Sequence, residues 1–180
     1  MKIFLLTSTI FTLWLSSAVK GAEAPATFKV SEFNFKRPAQ WEWVEVTSAM
    51  RKAQLKVADP KGKAAADIIF FHFGQGDGGG TKENVERWFS QFKEPRDQIK
   101  PKSEEAMVGK HKVTYVQAEG TYKSGMPGGQ QTPMAGYALA GAIIEAAQGS
   151  VFIRMTGPRE LVMASLPEFK QMVEGPLKQK

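Results

Sequence analysis

The run ADIIFFHF, residues 66–73, constrains the fold more than any other stretch of the chain. Strand alternation puts Ile69, Phe71 and Phe73 on one face and Ile68, Phe70 and His72 on the other, so neither face reads as a solvent side. A strand of this kind needs a covering layer above and below it. It therefore predicts a central place in a sheet that carries helices or further strands on both faces.

The neighbouring strands read as half-solvated. In RKAQLKV, Ala53, Leu55 and Val57 point one way and Lys52, Gln54 and Lys56 the other. In QWEWVEV, Trp41, Trp43 and Glu45 share a face opposite Glu42, Val44 and Val46. An N-terminal arm to Thr27 and a strand from Phe33 to Lys36 precede them. A helix is predicted over 82–92, because Val85, Trp88, Phe89 and Phe92 recur at helical spacing. Thr81 is its expected N-cap, Glu83 to Arg87 its i,i+4 pair, and Pro95 its stop.

A polar loop through Ser103 follows, then a long strand in HKVTYVQAEGTYK and an exposed loop in GMPGGQQTP. AGYALAGAIIEAAQGSVFIRMTG reads as a hairpin turning near Gln148 and Gly149, with the small residues Ala138, Ala140, Gly141 and Ala142 leaving room for a helix. The closing helix starts at Gly157-Pro158 with the proline in the first helical position. It restarts or bends at the Ser165-x-x-Glu168 box around Pro167, and buries Val162, Leu166, Phe169 and Val173. Strands, a helix, more strands and a last helix make an α+β fold, a mostly antiparallel sheet packed against helices in a single domain.

The chain opens with Lys2, an apolar stretch from Ile3 to Leu15, and the small residues Ser16, Ser17 and Ala18. That stretch falls short of the roughly 20 apolar residues a span needs, and is read as a secretory signal peptide. Cleavage is expected after Gly21 or after Ala24, which leaves residues 25–180 as the single domain and a periplasmic or secreted location. There is no cysteine among the 180 residues, so stability is expected to come from the core rather than from disulfides. The formal charge of +6, from 24 basic and 18 acidic residues, falls to 22 − 18 = +4 when Lys2 and Lys20 are removed by a cut that precedes Ala22. With Asp and Glu mixed among the basic residues, and no aromatic-basic repeat, nucleic acid is not an expected partner.

The segment GQGDGGG, residues 74–80, satisfies G-x-G-x-x-G between a strand and a helix. No second apolar strand follows that helix soon enough for a dinucleotide fold, and Gly80-Thr81-Lys82 inverts the phosphate-loop order. The glycines are therefore read as a turn. An anion at the helix start is the competing reading, and Asp77, Lys82 and Arg87 are the residues such a ligand would meet. His72 and His111, the two histidines, lie on different strands and predict no metal site. No G-x-S-x-G elbow is present, Glu104 and Glu105 fall in the expected loop, and Glu42 and Glu45 face apart. Trp41 and Trp43 are assigned to the core, with a stacking platform for a sugar or peptide as the alternative.

The blocks FFHFGQGDGGGTKENVERWFSQF and SVFIRMTGP, with the terminal helix, resemble a group of exported bacterial proteins of unknown function whose architecture is similar to the PsbP-like sandwich. The resemblance implies a non-catalytic accessory or binding domain of the cell envelope, without a cofactor, whose partner is an envelope protein or a small ligand. A carbohydrate- or polyanion-binding protein is the alternative, and an enzyme with an unrecognised site stands behind both.

Overall fold

The computed structural model describes residues 24–60, 62, 64–125 and 129–178. The expected signal segment therefore lies outside the described residues, apart from Ala24, as does part of the GMPGGQQTP loop. The strands are β1 Thr27–Val30, β2 Phe33–Lys36, β3 Glu42–Val44, β4 Arg51–Ala58, β5 Ala65–His72, β6 Lys102–Val108, β7 His111–Gly125, β8 Gln131–Ile144 and β9 Val151–Pro158. The helices are α1 Thr81–Phe89 and α2 Arg159–Glu174, the latter closed by a 3-10 turn, Gly175–Leu177.

The main sheet has seven strands in the order β3-β4-β5-β9-β8-β7-β6, and every pairing in it is antiparallel. β5 is an interior strand, as its two apolar faces require. On one face Ile68 and Phe70 are fully buried beneath the separate β1-β2 hairpin and α2. Phe70 meets Phe28 edge-on at 5.0 Å and Phe35 at 5.1 Å between ring centroids. Truncating such a residue to alanine costs about 3–5 kcal/mol.

The opposite face is covered unevenly. Val85, Trp88 and Phe89 of α1, with Phe92 and Ile99 beyond it, pack on Val116, Ala118, Leu139, Ile143 and Phe152 of β7, β8 and β9. The β4-β5 half of that face is more open, with Gln54, Lys56, Phe71 and Asp67 half-buried and Phe73 exposed. Ala138, Ala140 and Ala142 of β8 join the α2 side of the core, while Gly141 meets Trp88 on the α1 side. The small residues of this strand thus admit helices on both faces.

Local expectations fail at several places for identifiable reasons. Between the arm, which ends at Thr27, and the expected strand lies a further strand, β1, paired with β2 from Thr27↔Lys36 to Val30↔Phe33. The polar loop expected through Ser103 gives way at Lys102 to a strand, β6, so Glu104 and Glu105 lie on a strand and not in a loop. Its exposed charges face solvent at a sheet edge, where they oppose pairing with other chains. β8 begins at Gln131, inside the expected loop. Gly80, not Thr81, occupies the N-cap of α1, and the Thr81 hydroxyl donates to Glu145 Oε1 at 3.0 Å. Arg87 bonds Asn84 Oδ1 at 2.9 Å rather than Glu83. α1 ends at Phe89, well before Pro95, and Phe92 is bridged instead to Tyr122. Pro158 caps α2 and closes β9 instead of entering the helix. α2 runs unbroken past Pro167, and the Ser165 hydroxyl donates to Leu161 O at 2.8 Å within the helix rather than opening a new one.

Candidate functional site

The glycine loop is a braced turn. Gly74, Gly76, Gly78 and Gly79 all have positive φ, between 80° and 93°, conformations that residues with a Cβ strongly disfavour. Asn84 Nδ2 donates to Gly78 O at 2.8 Å and to Gly80 O at 2.9 Å, so the loop turns two carbonyls into the first turn of α1. Asn84 is buried. Of the residues a loop-bound anion would meet, Asp77 and Lys82 are exposed, and Arg87 is engaged with that same Asn84.

Trp41 and Trp43 lie on the other side of the sheet. Trp41 is 1% exposed and is part of the core beneath the hairpin. Trp43 is half-buried with its ring 5.4 Å from that of Phe28, and its Nε1 donates to Glu45 Oε1 at 2.9 Å. The two rings do not form a stacking platform, because one of them is inside. His72 and His111 are half-buried at strand ends, each with Nδ1 3.2 Å from a backbone oxygen, of Ser150 and Glu145. No group of three or more potential metal ligands occurs among the described residues.

A concavity lies elsewhere, between the β1-β2 hairpin and the C-terminal half of α2. This cleft has a volume of about 580 Å³ and is lined by Ala26, Asn34, Lys36, Arg37, Pro38, Ala39 and Gln40 on one wall and by Glu168, Gln171, Met172, Gly175 and Pro176 on the other. Arg37 builds the first wall: its Nε donates to Pro25 O at 2.9 Å, Nη2 to Ala24 O at 3.3 Å and Nη1 to Trp41 O. Gln40 Nε2 donates to Glu168 Oε1 and links the two walls. Asn34 and Gln171 are left exposed as hydrogen-bonding groups, and Lys36 as a cation. Among the described residues the lining holds one carboxylate and no histidine, serine or cysteine.

A smaller recess of about 200 Å³ is lined by Lys100, Lys102, Gln117, Glu119, Arg159 and Met163. Its cations are largely answered from within. Glu119 accepts from Lys100 and, at 2.7 Å, from Arg159, and these two hydrogen bonds hold its carboxyl below the usual carboxylate range. On α2, hydrogen bonding from Lys178 and from the Tyr115 hydroxyl lowers Glu174 in the same way. The sequence pointed to neither concavity, since each is assembled from segments far apart in the chain.

No known protein family's model matches the chain, and no curated protein matches it. Among solved structures, a Pseudomonas aeruginosa protein of unknown function is 13% identical with a TM-score of 0.46, over 84% of this chain and 95% of the other. The cyanobacterial PsbP of Synechocystis sp. PCC 6803 is 9% identical with a TM-score of 0.49, over 87% of this chain and 95% of the other. Both superpositions are partial, and the α+β fold class rests on the chain's own sheet and helices.

Proposed function

We propose that this chain is a non-catalytic binding or accessory domain of an exported compartment, and that it holds a small ligand or a segment of an envelope protein between the β1-β2 hairpin and α2. The cleft carries this reading. Its volume of about 580 Å³ falls in the range of ligand sites, and amide groups with a single free-standing cation line it. Hydrolytic or transfer chemistry needs a nucleophile beside a base, or two carboxylates facing one another. Here Glu168 stands as the one carboxylate of the lining and is held by Gln40. Export is supported by the apolar run from Ile3 to Leu15 and the small residues after it. The polyanion alternative is weaker, because Glu119 answers two of the three cations in the smaller recess.

Native mass spectrometry of the protein recovered from the exported fraction of its own host tests this, with Gln171→Trp as the cleft-filling variant. Gln171 is exposed, so the variant keeps the core intact. A defined component carried by the native protein and lost from Gln171→Trp, at an unchanged unfolding midpoint, is the expected result. A component retained by Gln171→Trp, or none on the native protein, overturns the proposal.

A further inference from the structure

A second feature stands on the opposite face of the sheet from the cleft and is independent of it. Arg154 of β9 lies between Ile69 of β5 and Gly141 of β8, at the border between the half covered by α1 and the more open half. The residue is half-buried, and its Nε is out of contact with solvent and has no hydrogen-bond partner. Nη1 donates to a neutral acceptor, Gln91 Oε1, at 2.9 Å, and the Tyr122 hydroxyl donates to that same oxygen at 2.9 Å. Among the described residues no carboxylate is paired with Arg154.

Buried guanidinium groups ordinarily carry an anionic partner, because an isolated buried charge is costly. Here the surroundings make the deficit worse. Burial lowers the basicity of Arg154, Tyr122 offsets part of that, and Arg51, on β4 beyond the intervening β5, adds a second positive charge that lowers it further. Arg51 is itself bonded to a neutral group, Gln54 Oε1, at 2.7 Å. The carboxylate on this part of the sheet, Asp67, sits opposite Thr156 rather than Arg154 and accepts from Gln54 Nε2 at 3.3 Å. Beside the guanidinium is an apolar platform. Phe71 lies 5.9 Å from its Cζ and stacks with Phe73 at 6.3 Å and 16°, and Phe73 is 38% exposed.

We propose that Arg154 is the anchor of an anion-binding site that takes a carboxylate carried on a flat apolar body, the carboxylate meeting the guanidinium at Nη2, which bonds no described residue and is not among the solvent-shielded atoms, and the body lying on Phe71 and Phe73. A planar guanidinium without a counter-ion matches a carboxylate in geometry as well as charge. Arg51 supplies the long-range attraction, and the aromatic pair supplies the preference for an apolar body over a bare ion. The site assigns roles to two features that the packing alone leaves unexplained, a cation without a counter-ion among the described residues and a large ring left partly exposed.

Titration with sodium benzoate, acetate and phosphate tests the site, read by the unfolding midpoint and by the Arg154 Nε–H resonance in ¹⁵N-edited spectra. Benzoate is expected to raise the midpoint and move that resonance, and to bind on the order of fivefold more tightly than acetate, the worth of one aromatic contact. Arg154→Met is expected to fold with an equal or higher midpoint, because a buried uncompensated charge is replaced by an apolar chain, and to lose the response to benzoate. Arg154→Lys, which keeps the charge and removes the fork, is expected to retain a weaker response. An Arg154 Nε–H that none of the three anions moves overturns the proposal, as does a benzoate response that survives in Arg154→Met. Equal responses to phosphate and benzoate overturn the apolar-body part of it. A destabilised Arg154→Met with an unresponsive native protein identifies Arg154 as a brace for Gln91 instead.

Discussion

The ring of Trp88 in α1 occupies the space that a side chain at Gly141 of β8 would need. A Cβ built on Gly141 would lie 2.7 Å from Trp88 Cε3 and nearer still to Cζ3. Gly141 is not among the glycines with positive φ, so its requirement is steric and not conformational. Gly141→Ala is therefore expected to destabilise by about 1–3 kcal/mol, the usual cost of overpacking. In a Trp88→Leu background that penalty should shrink, with a coupling of at least about 0.5 kcal/mol in a urea-denaturation double-mutant cycle. Additive effects would mean that the two residues do not share this contact.

The reach of sequence reasoning follows from which constraints are local. ADIIFFHF announced its interior place because both faces of a strand are set by residues two apart, and the α1 stripe did so through its helical spacing. β6 escaped because KSEEAMV is an edge strand, whose outward charges look the same in sequence as those of a solvated loop. Asn84 escaped because a polar residue on a helix reads as solvated until the loop it braces is folded against it. The cleft escaped for a stronger reason: Gln40 and Glu168, which link its walls, are 128 positions apart. Arg154 sat in plain view in SVFIRMTGP, but its missing counter-ion is a property of every element packed around it.

Acid should act through three depressed carboxyls. Glu94 accepts the Thr121 N–H with both oxygens, at 2.8 and 3.0 Å, and the Thr121 bonds lower its pKa from the ordinary 4.5. Glu119 is lowered chiefly by Lys100 and then by Arg159, and Glu174 chiefly by Lys178. A carboxyl depressed in the folded state contributes stability that is fully present above its unfolded value and is lost as pH falls through the folded one. The unfolding midpoint should therefore change little from about pH 7 to 5 on account of these groups and drop below that. Glu94→Gln should lie lower at neutral pH and approach the native curve in acid; parallel curves would remove Glu94 from the account.

Within GQGDGGG the glycines are not equivalent. Gly79 has a φ of 80°, whereas Gly80 has an ordinary φ of −73° and faces the movable carboxylate of Glu83. Gly79→Val should destabilise by about 1 kcal/mol or more, and Gly80→Val by less. This separates two positions that look alike in sequence. Asp77→Ala and Lys82→Ala, both at exposed residues, should stay within about 0.5 kcal/mol of the native protein. Equal effects at Gly79 and Gly80 in chemical denaturation would show that something other than φ governs the turn.

Arg37 ties the start of the described chain to the wall of the cleft. Its guanidinium reaches the carbonyls of Ala24, Pro25 and Trp41, while its own N–H donates to Ala26 O at 2.9 Å. Lysine at this position keeps the charge but cannot address three acceptors in different directions from one planar group. Arg37→Lys should leave the backbone bond to Ala26 in place and lower stability by about 1–2 kcal/mol, the worth of one charge-assisted bond lost from a half-buried site. The first residues should then exchange amide hydrogen faster and yield sooner to protease. Because Ala26 and Arg37 both line the cleft, any component held there should be released from Arg37→Lys as well as from Gln171→Trp. A chain that begins at Pro25 lacks the Ala24 acceptor and should respond less to the substitution than one that begins at Ala22, so comparing the two processed forms tests the role of Arg37 without altering the cleft walls. If Arg37→Lys changes neither exchange at the arm nor the stability of either form, the arm is held by the β1-β2 pairing alone.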